Sequence, residues 1–143
     1  MGFAMVMGLR KSVVDGTLKH VYQDGRKMGY EFQIQMDYYR GHYLSTIDEL
    51  SVKVDGKEVP EESILFCVNG KEFGIIQLKD AYTEFWEINK TATLEVYLPV
   101  GLEDGEHEID LHMISRSPYM PLDFDNHFYM PISHCSCVKM AIK

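Results

Sequence analysis

Hydrophobic and polar residues alternate along much of the chain, which is the pattern of strands with one dry face and one wet face. In the run that ends at Asp37, the apolar residues Tyr30, Phe32, Ile34 and Met36 share one face. The same period of two recurs in three further runs: Leu94 to Leu98, His107 to Met113 and Val138 to Ile142. A helical period of useful length is absent, apart from one short turn expected within 76–85. The pattern therefore predicts antiparallel sheets over a core.

Turn signals separate these apolar runs. Five Asp-Gly or Asn-Gly pairs supply the positive φ that tight hairpins need. They are Asp15-Gly16, Asp24-Gly25, Asp55-Gly56, Asn69-Gly70 and Asp104-Gly105. A series of β-hairpins follows from this spacing.

We predict one all-β domain over residues 1–143, an antiparallel two-sheet β-sandwich with long loops and little helix. The predicted strands lie near 3–9, 18–23, 28–37, 50–54, 64–68, 72–78, 92–98, 107–115 and 135–142. Residues 1–10 are expected to form a first strand or an N-terminal arm. Residues 116–131 contain three prolines and are expected to form an irregular segment that contacts a partner.

Charge and cysteine content narrow the possible partners. The formal net charge of −8 argues against binding to nucleic acid or to anionic membranes, which requires clustered Lys and Arg. No run of about 18 apolar residues is present, so no membrane span is expected. The chain has three cysteines, an odd number, and the apolar N-terminus lacks the preceding positive charge of a secretory signal. We therefore expect reduced thiols and a cytoplasmic location.

Histidines and cysteines are the first candidates for metal chemistry. His107 and His112 are five residues apart and point to opposite faces of a regular strand. Cys135 and Cys137 share a face but supply only half of a tetrahedral zinc site, unless Cys67 is brought close. We expect surface histidines and thiols that pack as small hydrophobic groups at a sheet or subunit contact, and no metal site. A small metalloenzyme remains an alternative.

Other catalytic motifs are missing from the sequence. It contains no P-loop, Gly-rich dinucleotide motif or Ser-His-Asp signature. Neighbouring carboxylates such as Glu61-Glu62 and Glu103-Asp104 lie beside turn signals, where solvated acids are common. We predict no catalytic residue in this chain.

Two segments at the ends of predicted strands combine Tyr and Arg with apolar neighbours, which is the composition of interface hot spots. They are Tyr38 to Ser45 and Arg116 to Pro121. We predict partner contacts at Tyr38, Tyr39, Arg40, Arg116, Tyr119, Met120 and Pro121. The alternative is that the tyrosines cap the core while the arginines pair with nearby acids. Composition alone leaves both open.

The same segments carry a family resemblance. They are Tyr38-Tyr39-Arg40-Gly41 with Leu44-Ser45, Val52 to Gly56, Gly101-Leu102, Gly105 to Glu108, and Arg116 to Pro121. In this order and spacing, over roughly residues 20–121, the sequence resembles the small β subunit of bacterial C-glycoside deglycosidases. The family often has a glycine where Val100 stands.

The resemblance implies a heteromeric carbon–carbon lyase. It acts on 3-oxo C-glycosides of plant flavonoids and similar compounds: loss of the C2 proton gives an enolate that expels the aglycone from C1. The resemblance assigns the acid–base groups and a divalent metal, expected to be manganese, to a larger α subunit that is similar to sugar-isomerase barrels. The β subunit is a sandwich that packs on α and supports assembly and the substrate entrance.

A free-standing carbohydrate- or ligand-binding module is the alternative function. Sandwich domains often bind sugars on exposed aromatic side chains, and the candidates here are Tyr39, Trp86 and Tyr119.

Overall fold

A computed structural model describes residues 4–123 and 128–143, with the side chains of residues 118–123 and 128 excepted. In this part of the chain the strands are β1 (Met5–Val6), β2 (Lys19–Gln23), β3 (Arg26–Ile34), β4 (His42–Tyr43), β5 (Ile47–Val54), β6 (Lys57–Glu58), β7 (Ile64–Val68), β8 (Lys71–Gly74), β9 (Phe85–Trp86), β10 (Ala92–Tyr97), β11 (Glu106–Asp123), β12 (Phe128–Ser133) and β13 (Ser136–Ala141). Short 3-10 helices occupy Leu44–Thr46, Glu61–Ser63 and Ile75–Asp80.

The first sheet is organised around β11. This strand pairs with β5 on one side and, along successive parts of its length, with β13 and β12 on the other. Strand β6 extends the sheet beyond β5, and β1 pairs in parallel with β12. The resulting order is β1-β12-β11-β5-β6, with β13 beside β11.

The second sheet has the antiparallel order β2-β3-β10-β7-β8, and β4 and β9 form a separate two-stranded pair. The inner faces of the two large sheets meet in one hydrophobic cluster. Buried members include Phe32, Ile34, Phe66, Leu94 and Val96 from the second sheet, and Val52, Val54, Ile109, Leu111, Met113, Val138 and Met140 from the first. Burial of apolar surface between two sheets is what stabilises a sandwich, as the alternation predicted.

Three of the five predicted turn pairs adopt the expected conformation. Both residues have positive φ at Asp24-Gly25, Asp55-Gly56 and Asn69-Gly70, with values between 52° and 81°. These pairs join β2 to β3, β5 to β6 and β7 to β8. Primed turns match the right-handed twist of paired strands, so local turn chemistry fixes these hairpins.

Strands occupy 116–123 and 128–131 of the segment that was expected to be irregular, and its contact with a partner stays a prediction. Strand β11 continues to Asp123 and β12 begins at Phe128. Register shifts interrupt their pairing between Arg116 and Pro121 and again after Pro121. Proline is tolerated at such irregularities because no ladder hydrogen bond is required of it there.

Smaller differences concern strand ends. The predicted strand 72–78 ends at Gly74, and the short helix Ile75–Asp80 follows it. Strands β4, β6 and β9 have two residues each and were not predicted. Within the described ranges, no helix is long and apolar enough to cross a membrane.

Candidate functional site: an exposed aromatic surface

The segment that follows β3 turns back on itself and presents aromatic side chains to solvent. Its strand β4 pairs with β9, which places Tyr43 opposite Phe85. Tyr39, Tyr43 and Phe85 are 49%, 47% and 36% exposed. The Tyr43 and Phe85 rings meet edge to face with centroids 5.0 Å apart, and the Arg40 guanidinium lies 5.8 Å from the centroid of the Tyr39 ring. We call Tyr39, Arg40, Tyr43 and Phe85 the aromatic surface.

Polar groups edge this surface on the β9 side. The Asn69 side-chain amide donates to the backbone carbonyl of Phe85 at 2.9 Å, and the Lys71 ammonium lies 2.8 Å from the Glu84 carboxylate. The hydrogen bond from Lys71, and then that from Asn69, holds the pKa of Glu84 below its usual value. Apolar and aromatic groups with a polar rim are the composition of protein interfaces.

Tyr38 supports the aromatic surface from inside the protein. Its side chain is fully buried, its ring centroid lies 4.4 Å from that of Tyr39, and its hydroxyl is 2.6 Å from Oγ of Ser117, which is also buried. The expectation that Tyr38 itself contacts a partner is therefore corrected. Its hydroxyl finds a partner in β11, as the hydroxyl of a buried tyrosine usually does.

Arg116 makes two hydrogen bonds to residues that follow β4 in the chain. Its Nε donates to Oδ1 of Asp48 at 2.9 Å and its Nη2 donates to the Ser45 carbonyl at 2.7 Å. The bond to Ser45 ties β11 to the short helix Leu44–Thr46, which follows β4 directly, and the bond to Asp48 ties it to the start of β5. The arginine thus pairs with an acid and a carbonyl while its side chain stays 46% exposed, so the expected partner contact at Arg116 remains a prediction.

A buried polar chain connects the same region to the N-terminal arm. The Asp37 carboxylate accepts from the backbone N–H groups of Gly8, Leu9 and Arg10 at 3.0, 2.7 and 3.1 Å. The Asp37 backbone N–H donates to Nδ1 of His134 at 3.0 Å. Through Asp37, these hydrogen bonds anchor residues 8–10 to the segment after β3 and to the turn after β12.

His134 is held in its neutral form by this arrangement. Because Nδ1 accepts a hydrogen bond, Nε2 carries the proton and donates to Oγ of Ser115 at 2.8 Å. Burial lowers the pKa of His134 to about 4, and the nearby His42 acts in the same direction. Burial also lowers the pKa of His42 to about 4, and its ring centroid lies 4.9 Å from that of Tyr38. Both imidazoles are neutral parts of the core.

A second feature is a cleft of about 720 Å³, whose lining includes the hairpin β5–β6 and the start of β11. His107 borders it, with Nδ1 2.6 Å from Oδ2 of Asp55 and Nε2 donating to the Glu103 carbonyl at 2.7 Å. Burial lowers the pKa of His107, but the hydrogen bonds to Asp55 and Glu103 outweigh it, and the pKa is raised. The His107–Asp55 pair joins the hairpin to β11, so a structural role explains it.

One group of possible metal ligands occurs among the residues that the structure describes. Single ligand atoms of Cys67, Glu72 and Glu95 lie within 4.8 Å of one another on the outer face of the second sheet. Burial, and then the negative charge of Glu95, raises the pKa of the Cys67 thiol to about 12. A protonated thiol is a poor metal ligand, so only the two carboxylates would be left to hold manganese, and this group does not fit that metal.

Several predicted positions fall elsewhere. The side chains of Tyr119, Met120 and Pro121 lie outside the described residues. Trp86 is buried and its Nε1–H donates to the Lys90 carbonyl, so it cannot stack on a sugar. Cys135 and Cys137 are exposed free thiols in this chain, opposite the face that buries Val138 and Met140.

Two members of the aromatic surface were not among the predicted contacts. Tyr43 lies within the segment that composition singled out, and its place in that segment was the available signal. Phe85 is distant in sequence and is brought close only by the pairing of β4 with β9, so no local pattern could identify it.

Comparison with known proteins identifies the family. The family model of the C-glycoside deglycosidase beta subunit matches residues 9–119. The chain belongs to this family. The matched range includes the aromatic surface, its support from Tyr38, and Arg116. It excludes β12 and β13.

Individual relatives agree with this assignment. The chain is 32% identical over 98 residues to a C-glycoside deglycosidase beta subunit of Eubacterium cellulosolvens, which covers 68% of this chain and 67% of the relative. It is 35% identical over 95 residues to a 3'-dehydrocarminate deglycosidase beta subunit of a Microbacterium species, covering 66% and 70%. A C-glycoside deglycosidase beta subunit of Arthrobacter globiformis is 27% identical over 114 residues, covering 78% and 85%.

Proposed function

We propose that this chain is the β subunit of a heteromeric lyase that cleaves the carbon–carbon bond of 3-oxo C-glycosides, such as those of plant flavonoids. The C3 ketone acidifies the C2 proton of the sugar, and the enolate formed by its loss expels the aglycone from C1. Family membership supports the assignment as a deglycosidase subunit. The name of the Microbacterium relative specifies a 3'-dehydro substrate, which agrees with a reaction that begins from a ketone.

In this proposal the proton transfers take place in a larger α subunit that resembles sugar-isomerase barrels. A divalent metal, expected to be manganese and held by the α subunit, would supply Lewis-acid stabilisation of the enolate. The present chain supports assembly and borders the substrate entrance. The Cys67 group described above offers this metal only two carboxylates beside a protonated thiol, so no step is assigned to it.

The observation that carries the proposal is the aromatic surface. Tyr39, Arg40, Tyr43 and Phe85 include residue types that dominate interface energetics, and the buried Tyr38 packs against the Tyr39 ring. The proposed occupant is the α subunit.

Reconstitution tests this function. The chain, the α subunit and their mixture are assayed separately for release of aglycone from a 3-oxo C-glycoside. We expect no release by the chain alone and much faster release by the mixture than by the α subunit alone. If the isolated α subunit cleaved the substrate at the full rate and never bound this chain, the proposal would be wrong.

A ligand-binding module is a second candidate, favoured by the 720 Å³ cleft beside His107. Tyr97 and Leu98 are exposed in its wall and could stack against a sugar or an aromatic ring. Calorimetry of the isolated chain with sugars and glycosides decides this. Absence of heat with every ligand removes the candidate and leaves the subunit proposal intact.

A further inference from the structure

A cysteine, a histidine and a glutamate meet on the outer face of the first sheet, and the cysteine lies outside the range that the family model matches. His112 lies in β11, Glu49 in β5, and Cys135 between β12 and β13. Sγ of Cys135 is 3.4 Å from Nδ1 of His112, and Nε2 of His112 is 2.9 Å from Oε1 of Glu49. All three residues are exposed.

The hydrogen bonds determine where the imidazole proton lies. An ionised carboxylate only accepts, so Nε2 of His112 carries the proton that Glu49 receives. In the neutral ring Nδ1 then holds the free lone pair, and this is the nitrogen that faces the Cys135 sulfur. A thiol, a base and a group that orients the base therefore stand in the order that activates a cysteine nucleophile.

The register of the sheet holds this order in place. His112 pairs with Ser51, and Ile114 pairs with Glu49, so the histidine and the glutamate are diagonal neighbours on one face. The turn that carries Cys135 is fixed by His134, whose backbone N–H donates to the Met113 carbonyl at 2.8 Å. The arrangement thus depends on strand pairing rather than on a mobile loop.

We propose that Cys135 is a reactive thiol that forms mixed disulfides with low-molecular-weight disulfides, with His112 as its proton acceptor and Glu49 orienting His112. The thiol gives its proton to Nδ1 of His112, and Sγ attacks one sulfur of the disulfide. One S–S bond forms as the other breaks, and the departing thiolate takes the proton back from His112. The cysteine is oxidised and half of the reagent is reduced, so no other oxidant is required.

A small reagent can reach the sulfur. A cleft of about 240 Å³ adjoins it and is lined by Ser51, Lys53, Asp110, Leu111, His112 and Cys135. The cleft offers one cationic side chain and one acidic side chain beside the thiol. A zwitterionic peptide disulfide has charges of both signs and is therefore a suitable reagent.

The other two cysteines serve as internal controls. Burial and the charge of Glu95 raise the pKa of Cys67 to about 12. Burial, and then the charges of Glu108 and Asp110, raises the pKa of Cys137. Cys137 is exposed like Cys135 but faces acids instead of an imidazole, so a comparison of the two separates activation from mere access.

The first measurement treats the full chain with glutathione disulfide near neutral pH and follows each cysteine by peptide mass spectrometry. We expect Cys135 to be modified at least about tenfold faster than Cys137 and Cys67. Equal rates at Cys135 and Cys137 would overturn the proposal.

The second measurement compares His112→Gln and Glu49→Gln with Lys19→Gln, an exposed control on the other sheet. We expect about tenfold or more slowing at Cys135 in the first variant, a smaller slowing in the second and none in the control. Thermal melting establishes that each variant is folded. If one of the two variants at His112 and Glu49 does not fold, the other is enough for the test. An unchanged Cys135 rate in a folded His112→Gln or Glu49→Gln protein contradicts the assignment.

Discussion

Tyr38 joins the aromatic surface to the core, and a short hydrogen bond of its hydroxyl supports this role. Its hydroxyl lies 2.6 Å from Oγ of Ser117, and both side chains are fully buried. Tyr38→Phe removes this bond and leaves the ring in place. We expect a loss of about 1–2 kcal/mol in the free energy of unfolding. Urea unfolding measures it, with Tyr39→Phe as the exposed control, for which the change should stay within about 0.5 kcal/mol. Equal effects of the two changes would contradict the role given to Tyr38.

Val100 occupies a backbone conformation that suits glycine. Its φ is 64° and its side chain is 83% exposed, so no packing compensates a β-branched residue in the left-handed region. We expect Val100→Gly to stabilise the fold by about 0.5–1 kcal/mol, with Val100→Asn between the two. Thermal melting checks this order. A lower melting temperature for the glycine variant would show that Val100 is not strained.

The buried histidines make stability depend on pH. The pKa values of His42 and His134 are lowered to about 4 by burial, whereas an unfolded histidine titrates near about 6.5. As the pH falls through this window, the unfolded state takes up protons that the folded state does not, so stability decreases. The slope is at most about 1.4 kcal/mol per pH unit for each histidine, and the loss from these groups is complete below about pH 4. Urea unfolding from neutral pH to about pH 4 measures it.

His107 affects the pH dependence of stability in the opposite direction. Its pKa is raised in the folded protein, so its stabilisation is fully present below the unfolded value and is lost as the pH rises through the folded value.

The control for the loss of stability between about pH 6.5 and pH 4 is His134→Asn, whose amide oxygen can still accept from the Asp37 N–H but does not titrate. It should be less stable than the wild type at neutral pH and show a shallower decrease on acidification. A slope as steep as that of the wild type would refute the assignment.

At the level of elements, the β4–β9 pair shapes the aromatic surface and depends on a close approach at Gly41. A Cβ atom there would lie 2.5 Å from the Trp86 carbonyl oxygen and 2.7 Å from Cε2 of Phe85. We expect Gly41→Ala to separate the pair, to cost about 1–3 kcal/mol and to weaken binding to the α subunit. The control is Gly74→Ala, whose nearest neighbour, Oε1 of Gln77, is 3.5 Å away. Melting and partner titration should show that the control is nearly neutral. If a destabilised Gly41→Ala protein still bound the α subunit tightly, the β4–β9 pair would not be part of the interface.

Elements with local signals were predictable from the sequence. Asn69-Gly70 specifies its own hairpin because only a primed turn accepts positive φ at both positions. The strand that became β11 was predicted to end at residue 115 because residues 116–131 contain three prolines, yet register shifts against β12 accommodate this part of the strand. The candidate site was predicted in part: Tyr39 and Arg40 are exposed, but the burial of Tyr38 depends on Ser117, far along the chain. Such long-range partners leave no periodic signature.

At the scale of the whole molecule, distinct features occupy distinct regions. The aromatic surface is built from the segment after β3 and from β9, the 720 Å³ cleft is built around the β5–β6 hairpin, and the Cys135 site lies on the outer face of the first sheet. The core between the sheets is apolar and continuous. A partner can therefore dock on the aromatic surface without disturbing the core, which is what a supporting subunit requires.

The central claim is that the aromatic surface binds the α subunit, and a binding titration tests it most directly. The wild-type chain, the double variant Tyr39→Ala/Arg40→Ala, and the control Tyr22→Ala, a 57% exposed tyrosine in β2, are each titrated into the α subunit by calorimetry. Melting of each free chain establishes that it is folded. We predict that the double variant weakens binding by about 2 kcal/mol or more, roughly thirtyfold in Kd, while the control binds like the wild type. Unchanged affinity of a folded double variant would contradict the account.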